Sequence, residues 1–314
     1  MKILQAVKLV MSIMIVIPLV CCSQTNSQNK NTPDKKPKEF KDYWYAGEAE
    51  LTRYELQQAR YGEIHRGDAV LIFVTEDFDT KSQIKHENGN RDNIASVLKL
   101  NFTRKFFTGI YPYSMMSSIF SPVNGKSSLK VTTSSQEWCG HTYSQLNLKN
   151  KKYKGLLHSY FQDEGDQEFS LDAELLEDEI WTKIRIDPKS LPIGNIKIIP
   201  GTMFLRLKHL DYKVENATAT LMSFTDDTLF NKPLNKYRVE YENFERILEI
   251  SFETAFPYAI LAWEETNKSG FGNNAKTLTT RAVRTHTVNS PYWSQNNLKD
   301  SILRKKLGLD LSNY

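Results

Sequence analysis

The feature that most constrains this chain is an alternation of apolar and polar residues with a period of two, which recurs from Phe40 onward. Residues 97–107 read VLKLNFTRKFF, and residues 277–288 read TLTTRAVRTHTV. Because successive side chains of a β-strand point to opposite faces, this alternation indicates strands with one buried face. In the second segment it assigns Ala282, Arg284 and His286 to the same face.

The strand-length segments are separated by turn signals such as Asn124-Gly125, which is the pattern of antiparallel hairpins. We therefore predict a mainly β protein, built as an antiparallel β-barrel, half-barrel or sandwich. Residues 172–184 (DAELLEDEIWTKI) interrupt this pattern with helical spacing, with Asp172 as the N-cap. Residues 298–307 predict a short C-terminal helix that ends at Gly308.

The N-terminus has the pattern of a bacterial lipoprotein signal peptide, MKILQAVKLVMSIMIVIPLVCC. About a dozen apolar residues follow a basic start, fewer than the roughly twenty that a transmembrane helix needs. Cys22, with Leu19 three positions before it, is the predicted acylation site, and Cys21 is the alternative. Acyl chains would anchor the protein to a membrane without spanning it.

These patterns divide the chain into four predicted parts. Residues 1–21 are the signal peptide, and residues 22–39 form a polar tether that is too poor in apolar residues to fold. A β-rich domain covers residues 40–295, as one barrel or as two halves that meet near 172–193, and residues 296–314 form the C-terminal helix. Since no acidic run follows Cys22, we predict an outer-membrane anchor that faces the periplasm.

Composition narrows the classes of partner and chemistry. The 314 residues carry a formal net charge of +4, without the concentrated basic face that a nucleic-acid partner would require. Once Cys21 is removed and Cys22 is acylated, Cys139 remains as the single thiol, and an internal disulfide cannot form. Phosphate-loop, dinucleotide-binding and nucleophile-elbow motifs do not occur, and we predict no cofactor.

Four stretches together resemble a family of lipoproteins from flavobacteria and their relatives, and they cover nearly all of the predicted mature chain. They are residues 39–78 (EFKDYWYAGEAELTRYELQQARYGEIHRGDAVLIFVTEDF), 98–120 (LKLNFTRKFFTGIYPYSMMSSIF), 134–147 (SSQEWCGHTYSQLN) and 290–309 (SPYWSQNNLKDSILRKKLGL). The resemblance implies an envelope lipoprotein and assigns no activity, because members of this family are commonly uncharacterised.

Some members of that family carry the label "septum formation inhibitor Maf". Proteins of the Maf type are cytosolic nucleotide pyrophosphatases with an α/β fold and a Ser-x-Ser-Pro-Arg-Arg motif. Neither Ser121-Pro122 nor Ser290-Pro291 is followed by arginines in this chain. Together with the export signal and the β-rich pattern, this difference argues against a Maf-type activity.

The segment Glu137-Trp138-Cys139-Gly140-His141 is the first candidate for chemistry. On a strand, Glu137, Cys139 and His141 would point to one face. A thiol beside an imidazole is typical of an activated nucleophile, and all three residue types bind zinc. The alternative is a packed strand segment without catalytic function. We predict no metal site unless further ligands come from elsewhere in the fold.

An aromatic and methionine-rich segment is the candidate ligand-binding wall. Such side chains line adaptable apolar pockets, although they also fill protein cores. The residues assigned to this wall are Phe106, Phe107, Tyr111, Tyr113, Met115 and Met116.

The leading functional hypothesis is a non-enzymatic, membrane-anchored protein that binds an apolar or amphipathic ligand or a cell-envelope partner. A zinc- or thiol-dependent envelope hydrolase that uses Glu137, Cys139 and His141 is the enzymatic alternative. A scaffold lipoprotein of an outer-membrane complex is the structural alternative.

We expect acylation of Cys22 in the mature protein, because the apolar run ends directly at this residue. Cys22→Ser should abolish incorporation of radiolabelled palmitate, whereas Cys21→Ser should leave it intact. Mass spectrometry of the mature N-terminus provides the direct measurement. An unmodified N-terminal peptide that contains both cysteines would refute the anchor.

Overall fold

The computed structural model describes residues 36–226 and 228–309. The predicted signal peptide, Cys21, Cys22 and most of the predicted tether lie outside the described residues. The predictions of processing and anchoring therefore remain predictions.

One large sheet contains the strands of the described region. The strands are β1 (Ala49–Arg60), β2 (Glu63–Asp79), β3 (Ile84–Lys85), β4 (Ile94–Thr108), β5 (Tyr111–Pro122), β6 (Lys130–Glu137), β7 (Gly140–Lys149), β8 (Lys152–Ser159), β9 (Gln167–Asp172), β10 (Leu175–Leu176), β11 (Gly194–Ile199), β12 (Glu215–Asp226), β13 (Lys232–Tyr241), β14 (Ile247–Glu253), β15 (Ile260–Ser269) and β16 (Lys276–Ser290).

The sheet is almost entirely a meander, with the order β10-β11-β12-β13-β14-β15-β16-β1-β2-β4-β5-β6-β7-β8-β9, and β3 pairs with β2. Its pairs are antiparallel except for β10 with β11. The two end strands, β9 and β10, do not pair, so the sheet is open. The mainly β prediction is confirmed, in the form of a half-barrel or sandwich rather than a closed barrel. Residues 172–193 lead from one end strand of this sheet, β9, to the other, β10, and on into α2, and both halves of the sheet share one main core.

The described helices are α1 (Lys38–Trp44), α2 (Glu177–Ile186), α3 (Thr202–Lys208) and α4 (Ile302–Lys306), with short 3-10 turns at Pro188–Ser190, Gly272–Asn274, Tyr292–Ser294 and Leu298–Ser301. The predicted mid-chain and C-terminal helices are therefore present. At the end of the C-terminal helix, Gly308 adopts a φ of 69°. The backbone N–H groups of Gly308 and Leu309 donate to the carbonyl oxygens of Lys305 and Arg304. This is the glycine-terminated helix end that the sequence predicts.

The mid-chain helix begins later than predicted. The segment up to Asp172 belongs to β9, and Leu175–Leu176 pairs in parallel with Ile198 and Ile199. Asp172 is therefore a strand residue and not the N-cap. Backbone pairing with strands that are distant in sequence overrides the local capping signal here.

Helices α1 and α3 were not predicted from the sequence, and α3 lies within the range that was predicted to be β-rich. Six of the seven α3 residues are buried. A helix buried on all sides has no polar face and shows no helical periodicity.

The predicted alternation of 277–288 also breaks within β16. A bulge at Thr285 of β16 shifts the register, so that Arg53 of β1 pairs with His286 and the next residue, Tyr54, pairs with Arg284. His286 therefore lies on the opposite face from Ala282, and the assignment of both to one face was wrong. An extra residue in one strand of a pair reverses the alternation beyond it.

Helix α2 lies against one face of the sheet, which we call the inner face. Nine of its ten residues are buried, although five of the ten residues in its sequence, EDEIWTKIRI, are charged. Trp181 packs edge-on against Phe102 of β4 and Trp263 of β15, with ring centroids 5.0 and 5.2 Å apart. The helix therefore forms the centre of the core and connects both halves of the sheet.

Two buried charges of α2, Glu177 and Arg185, are paired with charges on the strands and loops around the helix. Two guanidinium N–H groups of Arg185 donate to the two carboxylate oxygens of Glu50, each at 2.6 Å. Glu177 accepts from Arg246, which also contacts Glu265. Arg104 donates to Glu265 in turn. Because a single buried charge is costly, this pairing is the condition for placing such a helix in a core.

Asp178 holds α3 against α2. Its carboxylate accepts from the backbone N–H and the hydroxyl of Thr202, at 3.0 and 2.8 Å, at the start of α3. Burial raises the pKa of this carboxyl from 3.8 to about 7, and the neighbouring charge of Glu177 adds to the effect.

We expect Arg185→Met to destabilise the fold by about 3–5 kcal/mol, because it leaves Glu50 buried without its partner. The double variant Glu50→Gln, Arg185→Met should be less destabilised than the single one. Arg281→Met is the matched control, since its pair with Glu264 is solvent-exposed and contributes only about 0–1 kcal/mol. Urea unfolding followed by circular dichroism measures all three, and equal losses for Arg185→Met and Arg281→Met would contradict the prediction.

A second prediction concerns the pH dependence of stability. Since the folded-state pKa of Asp178 is raised, its contribution to stability is fully present below pH 4 and is lost as the pH rises through about 7. Asp178→Asn should remove this loss, so the melting temperatures of variant and parent should diverge in favour of the variant between pH 4 and 8. A constant difference across that range would show that Asp178 does not titrate there.

Candidate ligand-binding site

The inner face of the sheet is filled by protein side chains. Phe102 of β4 and Trp263 of β15 contact Trp181 of α2, Tyr54 of β1 packs against Trp263, and all four rings are almost completely buried. A ligand cavity in the middle of the half-barrel would require displacement of α2. The more open space lies on the other side of the sheet, which we call the outer face.

A cavity of about 330 Å³ lies between the outer face and the C-terminal segment. This is within the size range of small-molecule sites, which is roughly 300–1,000 Å³. Residues of β16, β1, β2 and β4 form its floor, and residues 292–309 cover it. The cavity is lined mainly by apolar atoms and is partly open to solvent. We call it the C-terminal cavity.

The floor of the cavity changes from apolar to charged along the strands. Val288, Leu51 and Ile72 lie side by side across three neighbouring strands. Two and four residues back along β2 from Ile72, Val70 and then Asp68 point to the same face. Asp68 pairs in register with Lys105 of β4. The floor is therefore apolar at one end and ionic at the other.

The cover is the 3-10 and helical segment that follows Pro291. Leu303, Leu307 and Leu309 line the cavity from this side, and Leu307 is almost fully buried. The hydroxyl of Ser290 donates to Gln295, which fixes the start of the cover to the end of β16. The helical spacing of the C-terminal leucines is explained by this packing on the sheet.

Of the charged side chains in the lining, the acidic ones have partners. Arg53 donates to Asp68 at 2.7 Å, and Asp300 accepts from the backbone N–H of Asn297 at 3.0 Å in a capping box. Lys105 and Arg304 form no ion pair or side-chain hydrogen bond with any described residue. Asp300 keeps its negative charge, because its partners are neutral, so the lining together with Arg53 carries three positive and two negative charges and is net positive.

The six residues predicted as a ligand-binding wall are divided between the two faces. Phe106, Tyr113 and Met115 point inward and are buried, with the rings of Phe106 and Tyr113 stacked at 4.7 Å. Phe107 and Met116 point outward and are exposed. Tyr111 lies at the β4–β5 turn, and its hydroxyl donates to Tyr61. The structure thus brings only part of this set together, in the core, and its role in ligand binding stays a prediction.

The three residues that were predicted as a catalytic or zinc-binding group, Glu137, Cys139 and His141, lie at the tip of the β6–β7 hairpin. Glu137 ends β6, and its carboxylate accepts from the backbone N–H of Cys139 at 2.7 Å. Cys139 lies in the turn, with an exposed thiol, and His141 is exposed on β7. The three residues are therefore neighbours in a turn rather than members of one strand face. Within the described residues, no group of three or more His, Cys, Asp or Glu side chains is arranged to hold a metal ion.

The same end of the sheet carries several exposed apolar side chains, each at a different hairpin tip. Ile110, Trp138 and Phe271 are 80%, 68% and 71% exposed. Ring contacts connect part of the group, since Tyr111 lies near Trp138 at 6.3 Å and Tyr61 near Phe271 at 6.1 Å. We call this group the hairpin-tip surface.

The floor of the C-terminal cavity was missed in the sequence because its residues belong to the outward face of strands. Leu51, Val70 and Ile72 alternate with the inward residues Tyr54, Leu71 and Phe73. The signal that could have found them is residues 69–74 (AVLIFV), an unbroken apolar run that implies burial on both faces.

Comparison of the sequence with protein-family models finds no match, and comparisons with curated proteins and with solved structures find none either. The resemblance to flavobacterial lipoproteins therefore remains a prediction from the sequence. Among the described residues, no helix has the length and apolar character needed to cross a membrane.

Because Cys139 is exposed and no described side chain depends on it, Cys139→Ser should change the free energy of unfolding by less than about 0.5 kcal/mol. A maleimide reagent should label Cys139 as rapidly in the folded protein as in urea. Labelling that requires unfolding would contradict the exposed position of this thiol.

Proposed function

We propose that this protein is a membrane-anchored lipoprotein of the cell envelope, facing the periplasm, which binds an apolar or amphipathic ligand in the C-terminal cavity. The observation that carries the proposal is the cavity of about 330 Å³ between the outward apolar residues of β1 and β2 and the leucines of the cover. The predicted acyl anchor would place this cavity close to a lipid surface.

The apolar floor of the cavity lies on the outer face of the sheet, which is an unusual position for apolar side chains. Outward residues of an antiparallel sheet normally face water and are polar. Leu51, Val70 and Ile72 are instead apolar; Val70 is buried, whereas Leu51 and Ile72 are shielded only in part. An alkyl chain that filled the remaining space would gain about 0.8 kcal/mol for each methylene removed from water.

A second candidate function is the docking of an envelope partner at the hairpin-tip surface. Exposed aromatic residues such as Trp138 and Phe271 are typical centres of protein interfaces. This candidate corresponds to the predicted scaffold lipoprotein. Trp138→Ser should then reduce recovery of a specific partner after cross-linking in cells, whereas Leu298→Ser, also on an exposed apolar residue, should not.

Photo-labelling tests the leading proposal. A dodecyl chain with a diazirine near its end is added to the full-length protein in lipid nanodiscs, and labelled peptides are identified by mass spectrometry. We expect labels on peptides from β1, β2 and the cover. Leu303→Asp should reduce this labelling at least about tenfold, because it puts a charge into the apolar lining.

The matched control for that experiment is Leu298→Asp. Leu298 lies in the same C-terminal segment but is 94% exposed and does not line the cavity. Its substitution should leave the labelling unchanged. Labels that are spread over the surface, or equal losses for both variants, would count against the proposed site.

A further inference from the structure

We propose that the ligand of the C-terminal cavity is a single-chain amphiphile with an anionic head group, whose carboxylate or phosphate is bound between Lys105 and Arg304. This inference rests on the proposed function and adds the chemical class of the ligand and its orientation. It starts from the lining residues and their partners.

The floor of the C-terminal cavity is apolar at one end and ionic at the other. The apolar row of Val288, Leu51 and Ile72 lies at one end, and the Asp68–Lys105 pair of the β2–β4 ladder lies at the other. Ile72 and Asp68 are four residues apart on one strand, which corresponds to about 13 Å. An amphiphile therefore finds an apolar end for its chain and an ionic end for its head group.

The net charge at the ionic end of the C-terminal cavity is positive. Arg53 neutralises Asp68, and its guanidinium also donates to the hydroxyl of Thr285 at 3.1 Å. The carboxylate of Asp300 accepts from neutral groups in the capping box and offsets one of the two remaining positive charges, which leaves the lining net positive. Neither Lys105 nor Arg304 forms an ion pair or a side-chain hydrogen bond with a described residue. Two cations without partners at an apolar cavity favour an anion as the ligand's head group.

The two cations, Lys105 and Arg304, can bind an anionic head group together. Arg304 lies on the cover and Lys105 on the floor, so the pair comes from both sides of the cavity. A guanidinium binds carboxylate and phosphate in a bidentate manner, and an ammonium adds a compact charge. A head group bound by both would also connect the cover to the sheet.

The volume of the C-terminal cavity limits the size of the ligand. A volume of about 330 Å³ is near the lower limit of small-molecule sites. It suits one alkyl chain better than the two chains of a membrane phospholipid. Fatty acids and single-chain phosphates are therefore the expected classes.

The test uses the full-length protein in nanodiscs and three dodecyl probes that differ only in the head group: a carboxylate, a phosphate monoester and a neutral alcohol. Binding is measured by competition with the photo-labelling probe. Lys105→Gln, Arg304→Gln should weaken binding of both anionic probes about tenfold, as expected for loss of charge-assisted hydrogen bonds. Binding of the alcohol should change less than about twofold, because its chain contacts are unaltered.

Two further variants complete the design. Lys299→Gln, Lys306→Gln removes two exposed cations of the same segment that do not line the cavity, and it should bind all three probes as the parent does. Lys105→Arg, Arg304→Lys keeps both charges and should retain the preference for anions. A thermal melt of each variant establishes that it is folded. If the Lys105→Gln, Arg304→Gln variant does not fold, the charge-preserving Lys105→Arg, Arg304→Lys variant serves as the decisive comparison.

The outcomes separate this inference from the proposed function. Binding of all three probes with equal affinity, or a preference for anions that survives the loss of both cations, overturns the anionic head group and leaves the cavity as a ligand site. Absence of binding by every probe to the parent protein overturns the proposed function itself. A stronger response to the phosphate than to the carboxylate identifies single-chain phosphates as the class.

Discussion

The burial of the charged helix α2 is the constraint on which the rest of this structure depends. Glu177 and Arg185 lie at its two ends in the core, and each has a partner of opposite charge on the sheet or its loops. Because these pairs join α2 to β1 in the middle of the sheet and to the loop between β13 and β14, the helix can occupy its place only when both of these parts are folded. The charged side chains thus specify a single arrangement of helix and sheet, at the expense of their own desolvation.

This arrangement also determines where a ligand can bind. With α2 and α3 on the inner face, the space inside the half-barrel is occupied by Trp181 and its aromatic neighbours. The partly open apolar surface lies on the outer face, where the C-terminal segment covers β1 and β2. The proposed ligand site is therefore a consequence of having filled the interior with a helix.

The strands were predictable because their information is local. Residues 97–107 and 247–253 alternate in the sequence and do so in the structure. Helix α3 was not predictable in the same way, since it is buried on nearly all sides. The wall residues show a similar limit: Phe106 and Phe107 are adjacent and chemically alike, but one is buried and the other exposed. Which of two apolar neighbours faces a core depends on register with the next strand.

The sequence by itself determined the mainly β class, the two helices near residues 172–184 and 298–307, and the glycine that ends the second one. These features depend on periods and caps within a few residues of each other. Only the tertiary structure decided that the sheet is open, that α2 fills it, and that Lys105 and Arg304 flank one cavity. Those facts depend on contacts between residues that are in some cases more than two hundred positions apart, which no local pattern encodes.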